Sequence, residues 1–214
     1  MENHISYINT NEIKHILDNH TPRPEGKFKF SSVVLPIFVT ENGPELLFSK
    51  RSMDLKRQPG DICFPGGKRE QHESAVETAI REAHEEIGVD VSNIKILGCL
   101  DYIVTAYKAI ISPFVALIEN TDISELKINS DEVSEVFTVP LKFFLKTEPE
   151  VHNINIKFDI PDDFPFDHIV GGRSYGWSHG KQSELFYFYK DKVIWGLTAR
   201  MINNLCYLIN TNKE

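Results

Sequence analysis

Residues 74–88 are consistent only with a helix that carries one heavily charged face. Ser74, followed three residues later by Glu77, forms a capping box, and Gly88 closes the pattern at the other end. Turning roughly 100° per residue, Val76, Ala79, Ile80, Ala83 and Ile87 fall on one side. Glu82, Glu85 and Glu86 fall together on another, because positions three and four apart are neighbours on a helix. Carboxylates so placed repel one another and weaken an isolated helix. Two readings follow. The acids are the solvated face of an ordinary amphipathic helix, as charge runs usually are, or they are oxygen ligands gathered for a divalent cation such as Mg²⁺ or Mn²⁺.

The rest of the chain alternates strand-length apolar runs with shorter helical patterns. A short helix capped by Asn9, with Glu12 at its third position and a stripe of Ile13, Ile16 and Leu17, precedes a Pro-rich linker over 20–26. Runs over 33–40 and 46–50 flank Asn42-Gly43, a strong hairpin signal. Strands are expected over 94–104, 108–119, 136–139 and 185–189, with a helix opened by Pro140 and a last helix over about 195–209. Residues 153–160 alternate Ile154, Ile156, Phe158 and Ile160 with polar residues, the pattern of a half-buried strand. The expected architecture is an α/β (α+β) fold, a mixed β-sheet sandwiched between helices. Residues 1–28 form an N-terminal helix and linker, and residues 29–214 form a single globular domain with its C-terminal helix packed on it.

Composition narrows the function. Lys plus Arg total 23 against 31 Asp plus Glu in 214 residues, a formal charge of −8, so a surface devoted to nucleic acid is not expected. No apolar run approaches a membrane span of roughly 18 residues, and the N-terminus lacks a secretory or transit pattern. Cys63, Cys99 and Cys206 are odd in number and widely spaced, which fits a reduced, cytoplasmic protein. A homodimer is compatible with the sequence but not specified by it.

The helix and the loop before it resemble the Nudix box: a glycine, five residues, a glutamate, seven residues, then Arg-Glu-apolar-x-Glu-Glu-x-Gly-apolar. Here these positions are Gly67, Glu73, Arg81, Glu82, Ala83, Glu85, Glu86, Gly88 and Val89, with only Ala83 small for its slot. The resemblance implies the Nudix fold and hydrolysis of a nucleoside diphosphate linked to a further group. It implies Glu82, Glu85 and Glu86 as ligands of Mg²⁺ or Mn²⁺, with the Gly67 carbonyl as a further candidate. It also implies a structural Glu73–Arg81 salt bridge and a close backbone approach at Gly66 and Gly67. The base that takes the proton from water is Glu82, Glu85, or a glutamate of the later segment containing Glu132 and Glu135.

A second stretch carries Arg51, Ser52, Gly60, Phe64, Pro65, Gly66 and Gly67 at the spacing of the motif that marks the coenzyme A pyrophosphatase branch of Nudix hydrolases. Lys56 stands where that motif has arginine and Ser49 where it has threonine; lysine keeps the charge but loses the two-pronged grip on phosphate. The segment 194–200, Ile-Trp-Gly-Leu-Thr-Ala-Arg, is similar to this branch as well. The substrate implied is coenzyme A or an acyl-CoA, cut to 3′,5′-ADP and (acyl-)4′-phosphopantetheine. Arg51, Lys56, Arg57, Gly60 and Phe64 are the candidate substrate contacts, within a basic island that runs from Lys50 to Arg69 and suits a polyphosphate. Tyr107 lies where branches that cut diadenosine polyphosphates often carry a tyrosine, which makes such a dinucleotide the alternative substrate. A non-catalytic Nudix sensing module is a further alternative, disfavoured because every metal-site acid is retained. Phe186, Phe188, Trp195 and Leu197 are read as core aromatics and aliphatics, Cys63 as a packed residue, His84 as surface, and 170–173 as a mobile loop near the site.

Overall fold

The computed structural model describes residues 9–212; the first eight residues, where the leader pattern was sought, and Lys213 and Glu214 lie outside it. In chain order it contains α1 (Thr10–Asp18), β1 (Lys29–Thr40), β2 (Gly43–Arg51), β3 (Ile62–Cys63), β4 (Gly66–Lys68), α2 (Ala75–Ile87), β5 (Ile94–Cys99), β6 (Ile103–Val104) and β7 (Ala109–Ile118). There follow β8 (Val133–Pro140), α3 (Leu141–Lys146), β9 (Glu150–Ile156), β10 (Gly180–Tyr189), β11 (Lys192–Trp195) and α4 (Gly196–Thr211).

The main sheet has eight strands, with β3-β2-β1-β7-β5 in order, β4 paired to β1, β6 to β7 and β8 to β2. Only β1 and β7 run parallel; the other pairs are antiparallel, so the sheet is mixed, as expected. Its two central strands are apolar at successive positions because both faces are covered. Val34 and Leu47 face the side packed by Ala79, Ala83 and Ile87 of α2. Leu35, Leu46 and Phe48 face the other side, packed by Phe144 of α3 and by Ala199 and Ile202 of α4.

The structure departs from the sequence expectations in five places. The hairpin turns on Glu41 and Asn42, and Gly43, at φ 100°, already begins β2, so the glycine follows the turn rather than forming its centre. A second, three-stranded sheet, β11-β10-β9, is not hydrogen-bonded to the main one but packs Leu185, Tyr187 and Ile194 into the same core. Strand β9 ends at Ile156, and its apolar positions are uncovered: Val151, Ile154 and Ile156 are all exposed, as is Phe158 beyond the strand. On β10 the buried residues are Glu184, Leu185 and Tyr187, while Phe188, and Trp195 on β11, are exposed, so those two aromatics are not core. An aromatic strand is apolar on both faces, and period two alone does not say which face is covered. Leu197 does pack against the core as a partly buried residue. The N-terminal helix forms with its Asn9 capping box, but Ile13, Ile16 and Leu17 are exposed. No helix among the described residues is long and apolar enough to cross a membrane.

Candidate active site

Local sequence builds helix α2 as expected. The Ser74 hydroxyl accepts from the Glu77 N–H, and the Glu77 carboxylate accepts from the Ser74 N–H at 2.7 Å. Gly88 caps the helix at φ 69°, and a Cβ there would stand 2.4 Å from the Lys127 carbonyl oxygen, so both the conformation and the space demand glycine. The three acids are not equivalent. Glu86 is buried, 6% exposed, on the inward side of the helix beside Ala83 and Ile87. The Glu82 side chain is largely covered, and that of Glu85 is about half exposed, 53%.

Arg81 organises the outer acids. Its Nε and Nη2 reach the two Glu73 oxygens at 2.6 and 3.2 Å, the bidentate brace implied by the box. Its Nη1 bonds Glu82 at 2.8 Å and Glu85 at 2.9 Å, and its Nη2 also donates to the Lys68 carbonyl. Helix, preceding loop and β4 are thereby tied to one guanidinium. The pairing, chiefly the Arg81 hydrogen bond, lowers the Glu73 carboxyl to about 2.

Glu86 has no such cation in bonding contact. Burial first, then the charges of Glu132 and Glu82, push its carboxyl up to about 8, although the Gly66 amide and the Arg51 guanidinium favour the charged form. Burial likewise raises Glu82. Among the described residues no three His, Cys, Asp or Glu side chains form a finished metal cage, since Arg81 holds Glu82 and Glu85 to itself. The donor chemistry nevertheless fits a hard divalent cation. Glu86 is a buried acid acted on by the charges of Glu82 and Glu132, and the Gly66 backbone amide reaches it, so carboxylate oxygens and backbone meet on one side of the helix. A Cβ at Gly67 would meet the Glu82 carboxylate at 2.4 Å, so only glycine leaves room there.

These two glycines differ in what a side chain would strike. At Gly66 a Cβ would sit 2.5 Å from the Ser32 carbonyl and 2.6 Å from the Val33 Cα, both backbone. Gly66→Ala is therefore expected to destabilise the fold by about 1–3 kcal/mol. Gly67→Ala strikes the Glu82 carboxylate, a side-chain end rather than backbone, so pushing it off Arg81 is expected to cost less stability than Gly66→Ala while activity falls about tenfold or more. Thermal melts beside initial-rate assays check both.

Glu132 is fixed at the other side of the acids. The Asn129 N–H donates to the Glu86 carbonyl, the Glu132 N–H to the Asn129 carbonyl, and the Ser52 N–H to the Glu132 carbonyl. Its side chain is exposed and its charge is felt at both Glu82 and Glu86. Glu135, the rival, is held by Lys192 at 2.9 and 3.0 Å.

A cleft of 480 Å³ opens beside this group. Arg51, Cys63, Phe64 and Gly66 line it on the main-sheet side, with Tyr107 at an exposed position. Ile154 and Ile156 of β9 and Glu184 of β10 form a second wall, and Trp195, Leu197, Arg200 and Met201 a third. Arg51 joins cleft and helix, because its guanidinium acts on both Glu86 and Cys63 and donates to the Arg57 carbonyl. Lys56 and Arg57, expected as substrate contacts, are exposed and do not line the cleft; only the Arg57 carbonyl enters, as the acceptor that aims Arg51. Gly60 lines a neighbouring cavity of 360 Å³ with Lys50 and Trp195. The Cys63 thiol is pushed up to about 12, mainly by burial, consistent with a packed residue. His84 is exposed, with Nδ1 2.9 Å from the Val89 carbonyl. Residues 170–173 fold as a short turn that does not line the cleft. Sequence reasoning missed Gln182 and Glu184 altogether, and passed over Arg200; the one signal for them was the 194–200 segment.

An acid-bearing loop–helix thus packs on one face of the mixed sheet, over its central strands. The NUDIX domain description matches residues 29–158, and the chain belongs to the Nudix hydrolase family. Nudix hydrolase 3 of Caenorhabditis elegans is 31% identical over 84% of this chain and 72% of its own length. Peroxisomal coenzyme A diphosphatase NUDT7 of Mus musculus is 38% identical over 56% of this chain and 50% of its own, so the chain matches about half of that relative. Mitochondrial coenzyme A diphosphatase NUDT8 of Homo sapiens is 29% identical over 87% of this chain and 72% of its own.

Proposed function

We propose that the chain hydrolyses the pyrophosphate bond of coenzyme A or an acyl-CoA to 3′,5′-ADP and (acyl-)4′-phosphopantetheine, with Mg²⁺ or Mn²⁺. The observation that carries this is the Arg51 guanidinium, which acts on the buried Glu86 and also lines a cleft of 480 Å³ with largely apolar walls, a surface suited to a non-nucleotide arm. The names of the mouse and human relatives support it. Glu82, Glu85 and Glu86 would hold the cation, which when bound would neutralise phosphate charge and make water more acidic. Arg51 grips a phosphate oxygen, fixed in aim by the Arg57 carbonyl. Glu132, exposed and free of a cation partner among the described residues, takes the proton at its carboxylate; Glu135 is spent on Lys192. Glu73 and Arg81 keep the loop and helix in register.

Tyr107 at the cleft supports the second reading, a diadenosine polyphosphate whose base would stack there. An assay of coenzyme A, acyl-CoAs, diadenosine tetraphosphate, NADH and ADP-ribose with Mg²⁺ or Mn²⁺ separates the two. Highest kcat/KM on coenzyme A or an acyl-CoA is the expected result; a preference for any of the others overturns the substrate assignment.

A further inference from the structure

The functional reading above gives the 194–200 segment no role, yet Trp195, Gly196, Leu197, Thr198 and Arg200 all line the cleft. Opposite them in sequence, from the second sheet, comes an unusual acid. Glu184 is 9% exposed, lines the cleft and takes one side-chain hydrogen bond, from Gln182 Nε2 to Oε1. Its Oε2 has no hydrogen-bond partner among the described residues and lies beside Gly196, where a Cβ would come within 3.7 Å. Arg200 lines the same cleft and makes no ion pair with Glu184 or any other described acid. A carboxylate with one neutral partner keeps acceptor sites to offer to a ligand. An acceptor and an arginine thus line a cleft whose walls include the aliphatic side chains of Ile154, Ile156 and Leu197.

A chain of secondary amides separated by methylene groups matches that wall: its N–H groups suit a carboxylate, its carbonyls suit a guanidinium, and its methylenes suit the aliphatic surface. We propose that Glu184 and Arg200 are specificity residues that read the amide-bearing arm of the substrate, with Gln182 positioning Glu184. This rests on the pyrophosphatase reading above and adds to it a subsite for the half of the substrate that does not react. Neither residue acts on the scissile bond, so the subsite contributes binding rather than chemistry.

The test uses the full chain with Mg²⁺ and coenzyme A, and the two product halves as inhibitors. For Glu184→Ala and Arg200→Ala, the KM for coenzyme A is expected to rise tenfold or more, with kcat within about threefold. Inhibition by 4′-phosphopantetheine is expected to weaken by a similar factor, and inhibition by 3′,5′-ADP to stay unchanged. Glu184→Gln, which keeps an acceptor oxygen and the shape, controls for misfolding and is expected to fall between the parent and Glu184→Ala. If the parent cleaves coenzyme A but inhibition by both halves weakens equally, or neither changes, the subsite is wrong while the function stands. If the parent does not cleave coenzyme A, the functional reading itself fails and the subsite falls with it.

Discussion

Replacing Glu86 by glutamine is expected to make the metal-free chain more stable and to remove its activity. Glu86 ionises near the ordinary carboxylate value when the chain is unfolded, but in the fold its carboxyl is held up to about 8. Between roughly pH 4.5 and 8 the folded state therefore holds a proton that the unfolded state has released. Fewer protons on the unfolded chain mean that metal-free stability falls as pH rises through this window. Glutamine escapes that cost while keeping an oxygen for the Gly66 amide. At pH 8 and in EDTA, Glu86→Gln should melt several degrees above the parent, on the order of 1–3 kcal/mol, and the gain should shrink toward pH 5. Activity should fall by about 10²–10³-fold, the scale seen when one preorganised electrostatic group is lost. Binding of Mn²⁺ to the parent should tighten as pH rises toward 8, because the cation must displace the Glu86 proton. Thermal melts against pH, with and without metal, measure all of this; a variant less stable than its parent in EDTA would show that Glu86 is an ordinary structural acid.

Arg81→Ala should have the second largest effect, with the opposite sign on stability. One guanidinium holds Glu73, Glu82, Glu85 and the Lys68 carbonyl, so its removal leaves three acids near the buried Glu86 without a counter-charge. Activity should drop about 10–100-fold, as when a partner that orients metal ligands is lost. Lysine at this position should restore only a small part, since a single ammonium cannot grip Glu73 with two bonds while reaching Glu82. The pH dependence adds a check. Glu73 sits at about 2 in the fold, below its ordinary value, so its stabilising effect is present above roughly pH 4.5 and is lost as pH falls toward 2. The difference in melting temperature between parent and Arg81→Ala should therefore be greatest near neutrality and narrow in acid. Melts over pH 3–8 decide this, and a difference independent of pH would contradict the assigned role.

What was legible in the chain was local. The capping box at Ser74, the stop at Gly88 and the Glu73–Arg81 pair all sit within one loop and one helix, where spacing and geometry are nearly the same statement. The mixed sheet was legible too, through apolar runs that only a sheet covered on both faces can bury. Inequality among Glu82, Glu85 and Glu86 was not, because helical spacing places them on one arc but cannot say which part of the arc faces the core. Lys56, at the motif's arginine position, and Arg57 beside it in the basic island were expected as phosphate contacts; both are exposed and lie outside the lining of the cleft, a placement that spacing does not give. Ile154 and Ile156 alternate as a half-buried strand should, but their apolar side faces a cleft rather than a packed layer. Glu184 and Arg200 meet that cleft from separate elements, a relation no local pattern records.

The central claim is that the acids of α2, with Glu86 at their buried end, serve the cleavage of a coenzyme A pyrophosphate. Mass spectrometry of products formed from coenzyme A in ¹⁸O-water, with Mg²⁺, tests it most directly. Both 3′,5′-ADP and 4′-phosphopantetheine should appear, one of them carrying a single ¹⁸O, and both should vanish in EDTA and in Glu86→Gln. Unlabelled products, cleavage at another bond, or the same yield from Glu86→Gln would contradict it.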